Sequence, residues 1–336
     1  MNDTLYKYNY VFFWSSEDYY QVAFNDILDF DNVRYKSGLV SEKNKAIQLI
    51  HLINHSARIN KIIKLPFRKS WRPFYFKNEF NNDNPIVFVF HGSYYWMKSI
   101  DYFDYLKSTF TNSKIVLFLT DTVESYKKYF SGKYYGDFDI DYLNGKFDLI
   151  YSYNYIDVQK YKFIYYPTIY SVYKQFSDKK SPDYDLFFVG KAKDRLETIQ
   201  NMYKEFTDLG FTCDFFITDV PIEKQLFKDH IHYNDFLSYI DVIHHIENSR
   251  GLLEIVQGGS CGLTFRDSEA LAYNKNLITN NKAITKLEYS TCSKIYYINK
   301  NSRISKKEFS NSADQHFDYK NEFSPVYLLD EIEKDL

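Results

Sequence analysis

Cysteine is nearly absent from this sequence: Cys213, Cys261 and Cys292 are the only three in 336 residues, and no two form a CxxC pair. An odd number at wide spacing excludes a disulfide framework and a structural zinc site, and fits reduced thiols in the cytoplasm. No stretch of about 18 uncharged apolar residues occurs, which excludes a typical membrane-spanning helix. The opening MNDTLYKYNY has neither the basic start nor the apolar run of a signal peptide, so a cytoplasmic location is expected. Charge of one sign is also missing. A formal net charge of −2 leaves no whole-molecule field to gather nucleic acid, so any basic surface must be local and no nucleic-acid partner is expected. The fingerprints GxGxxG and GxxxxGK[ST] are absent. His51 and His55 stand four apart, but Leu52 occupies the glutamate place of HExxH. His230, His232, His244 and His245 have no companion ligands, so no metal and no cofactor is expected. Glycine is sparse at 11 residues while Tyr (34) and Phe (30) are abundant. That bias reads as the coding habit of an AT-rich genome, so only a few aromatics can belong to a site.

What is present is an alternation of short apolar runs with longer helical patterns, the mark of βαβ units and parallel sheets. It occurs twice. Strands are predicted at Tyr10–Trp14, Ile86–Phe90, Lys114–Leu119 and Asp148–Tyr151, and again at Asp185–Val189, Cys213–Ile217, Gly251–Val256, Asn276–Thr279 and Lys294–Ile298. Helices are predicted over Glu42–Ile59, Met97–Phe110 and Val326–Leu336. The polar segment Ser171–Tyr184 separates the halves, which gives an N-terminal domain over 1–175 and a C-terminal domain over 176–336 that includes the last helix. Two doubly wound domains in tandem place a ligand site at the carboxyl ends of their strands, facing an interdomain cleft.

Two segments carry chemistry. In YDLFFVGKAKDR, Gly190 and Lys191 follow a buried strand, and Arg195 opens a helix; a small residue, a helix N-terminus and two cations suit a diphosphate. From Asn248 to Asn281 the pattern reads strand, glycine-rich loop, helix, strand, with Gly258, Gly259 and Gly262 in the loop. There Glu269 has the chemistry to hold two ribose hydroxyls and Arg266 that to neutralise a departing phosphate. Read as local pattern alone, the same residues form a helix cap, with Thr264 as N-cap.

The run LLEIVQ…GLTFRDSEALAYNKNLITNN resembles the donor-binding region of GT-B glycosyltransferases of bacterial capsule, exopolysaccharide and lipopolysaccharide synthesis. YDLFFVGK.KDR, KIVLFLTDTV and FDLIYSYNYIDVQKYKFIYYPTIYS resemble further segments of those proteins, in the same order. The resemblance implies an α/β GT-B fold with two Rossmann-like domains, acceptor bound by the first and nucleotide sugar by the second. It implies a metal-independent hexosyltransferase that moves a sugar, from UDP by default, to a saccharide or lipid-linked acceptor. Carried over by residue, it puts Gly190, Lys191 and Arg195 at the diphosphate, Gln257, Thr264 and Arg266 at phosphate or sugar, and Glu269 at the ribose. Two departures stand out: Cys261 lies where a second glutamate is usual, and Asn274 replaces a glycine. Alternatives are a degenerate GT-B partner subunit and a sugar-nucleotide epimerase.

For the acceptor hydroxyl, candidate bases at strand carboxyl ends are His91 and Asp121. Finally, SARINKIIKLPFRKSWRPFYFKN holds seven cations, no acid and interleaved aromatics, with Arg68, Lys69, Trp71 and Arg72 at its centre. Such a strip suits an anionic membrane surface, so a peripheral place on the inner face of the cell membrane is expected; the alternative is a solvated helix and a Pro-bounded loop whose aromatics pack inward.

Overall fold

A computed structural model of the protein describes residues 6–38, 40, 45–173, 182–256, 258, 261–286, 292–298, 304–312 and 315–336. Twelve strands are found there: β1 (Asn9–Phe13), β2 (Val33–Lys36), β3 (Ile86–His91), β4 (Lys114–Leu119), β5 (Leu149–Ser152), β6 (Ile164–Tyr165), β7 (Tyr184–Lys191), β8 (Cys213–Thr218), β9 (Ile231–Tyr233), β10 (Ser249–Glu254), β11 (Asn276–Thr279) and β12 (Ile295–Tyr297). They form two six-stranded sheets, β2-β1-β3-β4-β5-β6 and β12-β11-β10-β7-β8-β9, parallel throughout. Central strands such as NYVFF and IVFVFH are buried at every residue because helices cover both faces of a parallel sheet. Continuous apolar runs were therefore readable. The strands absent from the sequence reading, β2, β6 and β9, are two to four residues long and lie at edges or beside them, with few or no buried side chains.

The chain divides into two compact units. The first comprises Met1–Gln21, Asn25–Tyr166 and Val326–Leu336; the second comprises Val22–Phe24 and Pro167–Pro325. Contacts thus group the last helix, Pro325–Asp335, almost wholly with the first sheet, where the sequence reading had put it with the second. The reason is a set of polar contacts. Glu333 Oε1 accepts from Lys7 N (2.6 Å) and from the Tyr10 phenol (3.3 Å), and Asp335 accepts from the Tyr151 phenol at 2.7 Å.

Both long helices predicted in the first unit are broken. Ser56, in extended backbone, ends Lys45–His55 and caps Ala57–Ile62. Asp101, at φ 50°, ends the 3-10 segment Gly92–Ile100 before Tyr102–Thr109 begins. Aromatic residues fill the first core: the rings of Phe13 and Phe90 stack at 4.8 Å, and Tyr102 meets Phe13 edge-on at 6.1 Å.

In the second unit, Gly251 sits where no side chain fits. A Cβ there would lie 2.5 Å from the Phe309 ring and 2.8 Å from the Asn276 carbonyl. Gly251→Ala is expected to destabilise the second unit by about 1–3 kcal/mol. All three tryptophans, Trp14, Trp71 and Trp96, belong to the first unit. The loss should therefore appear as faster hydrogen exchange in β7 and β10, with the tryptophan-detected transition unmoved.

Candidate functional site

The second sheet has the strand order in which β7 is followed on one side by β8 and β9 and flanked on the other by β10, β11 and β12. Chain order reverses between β7 and β10, and their carboxyl ends form the switch point at which open α/β sheets bind ligands. Gly190 and Lys191 end β7; Glu254 ends β10.

Two arginines are fastened at this edge. Arg195 precedes the helix Leu196–Asp208, and its guanidinium donates to Ile255 O beyond β10 and to Lys191 O (3.1 Å) at the end of β7. Arg266 belongs to the helix Phe265–Ala272; its side chain is 14% exposed, pairs with Glu269 and donates to Val189 O at 3.4 Å. Arg195 and Arg266 repel, and burial followed by the pull of Asp194 and Glu254 sets the balance on Arg195, whose proton affinity is lowered. Both remain cations, as guanidinium groups do at neutral pH. Gly190 has an ordinary negative φ, and a Cβ there would meet only Arg195 Nη2 at 3.5 Å and the Phe188 ring. Its lack of a side chain leaves room beside the two guanidinium groups. Lys191 is 65% exposed and pairs loosely with equally exposed Asp219 at 3.4 Å, a contact worth little to stability.

Beneath them lies a buried polar network that the sequence reading missed. Glu254, 4% exposed, accepts from Thr264 Oγ1 (2.5 Å), Thr279 Oγ1 and Asn281 Nδ2 (3.5 Å). A glutamate inside the apolar run GLLEIV was the available signal, since a buried charge needs partners. Thr264 and Asp267 complete a capping box: Thr264 Oγ1 accepts from Arg266 N (3.1 Å), and Asp267 Oδ2 accepts from Thr264 N (2.7 Å). Thr264, expected at phosphate or sugar, has both hydrogen-bonding roles filled inside the protein.

Glu269 departs further from expectation. It is 1% exposed, accepts from the Tyr239 phenol at 2.7 Å and pairs with Arg266. Burial raises its pKa although the Arg266 charge opposes the rise. The carboxylate is enclosed by Tyr239 and Arg266 and holds the guanidinium in place. Gln257 lies outside the described residues. The sequence-distant Gly190, Lys191, Arg195, Thr264, Arg266 and Glu269 are thus brought together, with Gly190, Lys191 and Arg266 on the open side.

The first unit corrects the other expectations. His91, 9% exposed, accepts from Ser93 N (3.2 Å) at Nδ1, which fixes the proton on Nε2, 2.6 Å from Thr120 Oγ1. Burial drives its pKa down to about 3. With one nitrogen capping a turn and the other donating, its ring has no lone pair for a substrate; it ties β3 to the residue after β4. Asp121 is half-buried, with Oδ1 accepting from Thr122 N at 2.7 Å. Of the strip residues, Lys69 and Arg72 share Asp101 (2.5 and 3.2 Å), Arg68 lies over the Tyr134 ring at 4.9 Å and Trp71 packs on Phe74 at 5.4 Å. The four central residues turn inward, apart from the exposed Lys69, because the short helix Arg68–Trp71 folds onto the His51, Tyr75 and Trp96 cluster. A cavity of about 500 Å³ at the carboxyl ends of β1, β2 and β3, lined by Trp14, Ser37, His51, Ser93 and Trp96 among others, had no counterpart in the sequence reading. Among the described residues no group of three or more His, Cys, Asp or Glu could hold a metal ion. No described helix is long and apolar enough to cross a membrane.

Asp267 supplies a pH test. Burial and the nearby Glu254 charge raise its pKa well above the ordinary 3.8. The folded chain then holds a proton that the unfolded chain releases. The stability it contributes is complete below pH 3.8 and falls as pH rises, by at most about 1.4 kcal/mol per pH unit. Asp267→Asn retains an acceptor for Thr264 N, so the variant should lose less stability than wild type between pH 5 and 8, read by hydrogen exchange in β10. Equal slopes would contradict the protonated state.

No protein-family model matches the chain, and no curated protein matches it in sequence. Solved structures do match. An α-glucosyltransferase in complex with UDP-glucose and DNA containing an abasic site is 9% identical at a TM-score of 0.52, over 97% of this chain and 92% of that one. T4 phage BGT in complex with its UDP-glucose substrate is 12% identical at 0.42, over 97% and 92%. The spinosyn forosaminyltransferase SpnP is 9% identical at 0.36, over 92% and 84%. The chain, two six-stranded parallel sheets with flanking helices, therefore has the two-domain α/β fold of the GT-B glycosyltransferases.

Proposed function

We propose that this protein is a glycosyltransferase that takes a sugar from a nucleotide-sugar donor, with the donor diphosphate at the carboxyl ends of β7 and β10. The observation that carries the reading is the pair of anchored cations, Arg195 and Arg266, beside the open Gly190 at the sheet's switch point. When the bond between the sugar carbon and the phosphate oxygen breaks, negative charge collects on the departing diphosphate. Two guanidinium groups held in place by backbone carbonyls and Glu269 stabilise that charge without reorganising, which is the basis for proposing transfer without a metal ion. The α-glucosyltransferase of similar fold was captured with UDP-glucose, and UDP is the proposed nucleotide here. Asp121, whose second carboxylate oxygen is uncommitted among the described hydrogen bonds, is the proposed acceptor of the proton from the attacking hydroxyl.

We further propose a lipid-linked saccharide acceptor at an anionic membrane surface, as in bacterial surface glycan synthesis on the inner face of the cell membrane. Nine of the eighteen exposed large hydrophobic side chains among the described residues fall between Leu49 and Phe74, including Ile62 (85% exposed) and Phe67 (77%). No acidic residue occurs from Lys45 to Asn78. The same fold neighbour holds DNA, but protruding isoleucines and a phenylalanine suit the lipid interface better than a phosphate backbone.

Titration calorimetry of UDP, GDP, CMP and dTDP in EDTA should show saturable binding of UDP, and Arg266→Ala should weaken it by roughly 1–3 kcal/mol. Binding by none of the four would leave the partner-subunit alternative. Vesicles containing anionic phospholipid should sediment the protein and uncharged vesicles should not. The double change Ile62→Asp, Phe67→Asp should lower that binding at least about tenfold, given the apolar area withdrawn from lipid; binding of duplex DNA instead would contradict the membrane surface.

A further inference from the structure

We infer that the cavity of the first unit is a binding site for an uncharged saccharide, with Trp96 as the platform on which a sugar ring stacks. The assignment deepens the proposed transfer reaction by naming its acceptor site, and it rests on that reading only for the ligand's role as acceptor.

The location follows from topology. In the order β2-β1-β3-β4-β5-β6, chain order reverses at β1, so the crevice of this sheet opens where β1 and β3 end. Trp14, Ser15 and Ser16 follow β1, Ser37 and Gly38 follow β2, and Ser93 and Tyr94 follow β3; all line the cavity. At about 500 Å³ it falls within the usual range for small-molecule sites.

The chemistry of the lining selects the ligand. None of the twelve described residues that line it is Asp, Glu, Lys or Arg. A phosphate or nucleic-acid backbone entering there would leave its charge without a partner, at a large desolvation cost. In the turn after β3, Ser93 N donates to His91 Nδ1. What the wall offers is neutral hydrogen-bonding groups: the hydroxyls of Ser16 and Ser37, the Gln48 amide and the His51 imidazole, with Ser15, whose Oγ donates to Glu17 at 3.2 Å, and Ser93, whose Oγ meets His91 Nδ1 at 2.7 Å, beside them. Burial lowers the His51 pKa to about 4, so its ring is neutral at physiological pH. Its Nδ1 meets the Tyr75 hydroxyl at 3.2 Å, which orients the ring by one nitrogen.

Trp96 completes the case. It is half-buried, and His55 (5.0 Å between centroids, 46° between planes) and Tyr75 (6.5 Å, 89°) brace it. A rigid indole among neutral donors and acceptors matches a pyranose, which has C–H faces and an equatorial rim of hydroxyls. Val40 and Leu52 add an apolar margin, and Leu52 is 66% exposed on the helix that also exposes Leu49 and Ile53. A sugar in the cavity can therefore keep an apolar aglycone outside it.

Trp14 and Trp96 line the cavity and Trp71 lies 5.6 Å from the His51 ring, so tryptophan fluorescence reports on this site. The full chain is titrated with maltose, cellobiose, lactose and chitobiose, followed by fluorescence and by saturation-transfer NMR. At least one disaccharide should bind; Trp96→Ala should weaken it at least tenfold, while Trp96→Phe, which keeps a stacking face, should stay within about threefold. Glucose 6-phosphate, UMP and a DNA duplex should not compete. Binding by no disaccharide, binding unchanged in Trp96→Ala, or competition by the anionic probes would each overturn the assignment. UDP titration of the same samples separates the two readings: disaccharide binding without UDP binding removes the transferase and keeps this site, and the converse does the reverse.

Discussion

A carboxylate buried at the end of a central strand must be met by hydrogen-bond donors, and the arrangement of the second unit follows from how Glu254 meets that demand. Its oxygens draw in Thr264 from the next helix's cap, Thr279 from the end of β11 and Asn281 from the turn beyond. Thr264 in turn caps the helix that carries Arg266 and Glu269. One buried charge therefore sets the starting point of that helix, and through it the height at which the Arg266 guanidinium stands above the sheet.

Electrostatics then divides the labour. Asp267 lies deep enough, and near enough to Glu254, that its proton is retained above the usual carboxylate range. Glu269 is balanced by Arg266 and by the Tyr239 phenol. Arg195, held by backbone carbonyls, and Arg266, paired with Glu269, place two guanidinium groups at the open edge of the sheet. Such an edge favours an anionic ligand. The first unit differs: none of the described residues lining its cavity is Asp, Glu, Lys or Arg. Two sheets of the same kind thus present a cationic edge and a neutral one, as the proposed transfer would use.

Much of the architecture was legible in the sequence because buried parallel strands must be apolar at every residue; KIVLFL and YDLFFV leave little choice. The edge strands were hidden because β2 and β9 bury one residue each and β6 buries none, so no pattern marks them. At the site, the segments were found and several side-chain roles were not. Pattern places Glu269 near the loop, but only the three-dimensional structure reveals Tyr239 and Arg266 enclosing it. His91 ends a strand as expected, yet its partners Ser93 and Thr120 are recruited by the fold. The cavity beside Trp96 draws on residues from 14 to 96, a spread that no local motif reveals.

The central claim is that a nucleotide sugar binds where β7 and β10 end, and hydrogen exchange with and without UDP-glucose tests it directly. The account predicts slowed exchange in Val189–Arg195 and in the backbone from Glu254 to Arg266, with the helix Leu196–Asp208 protected at its first turn. Protection confined to the first unit, or none at saturating nucleotide, would contradict it.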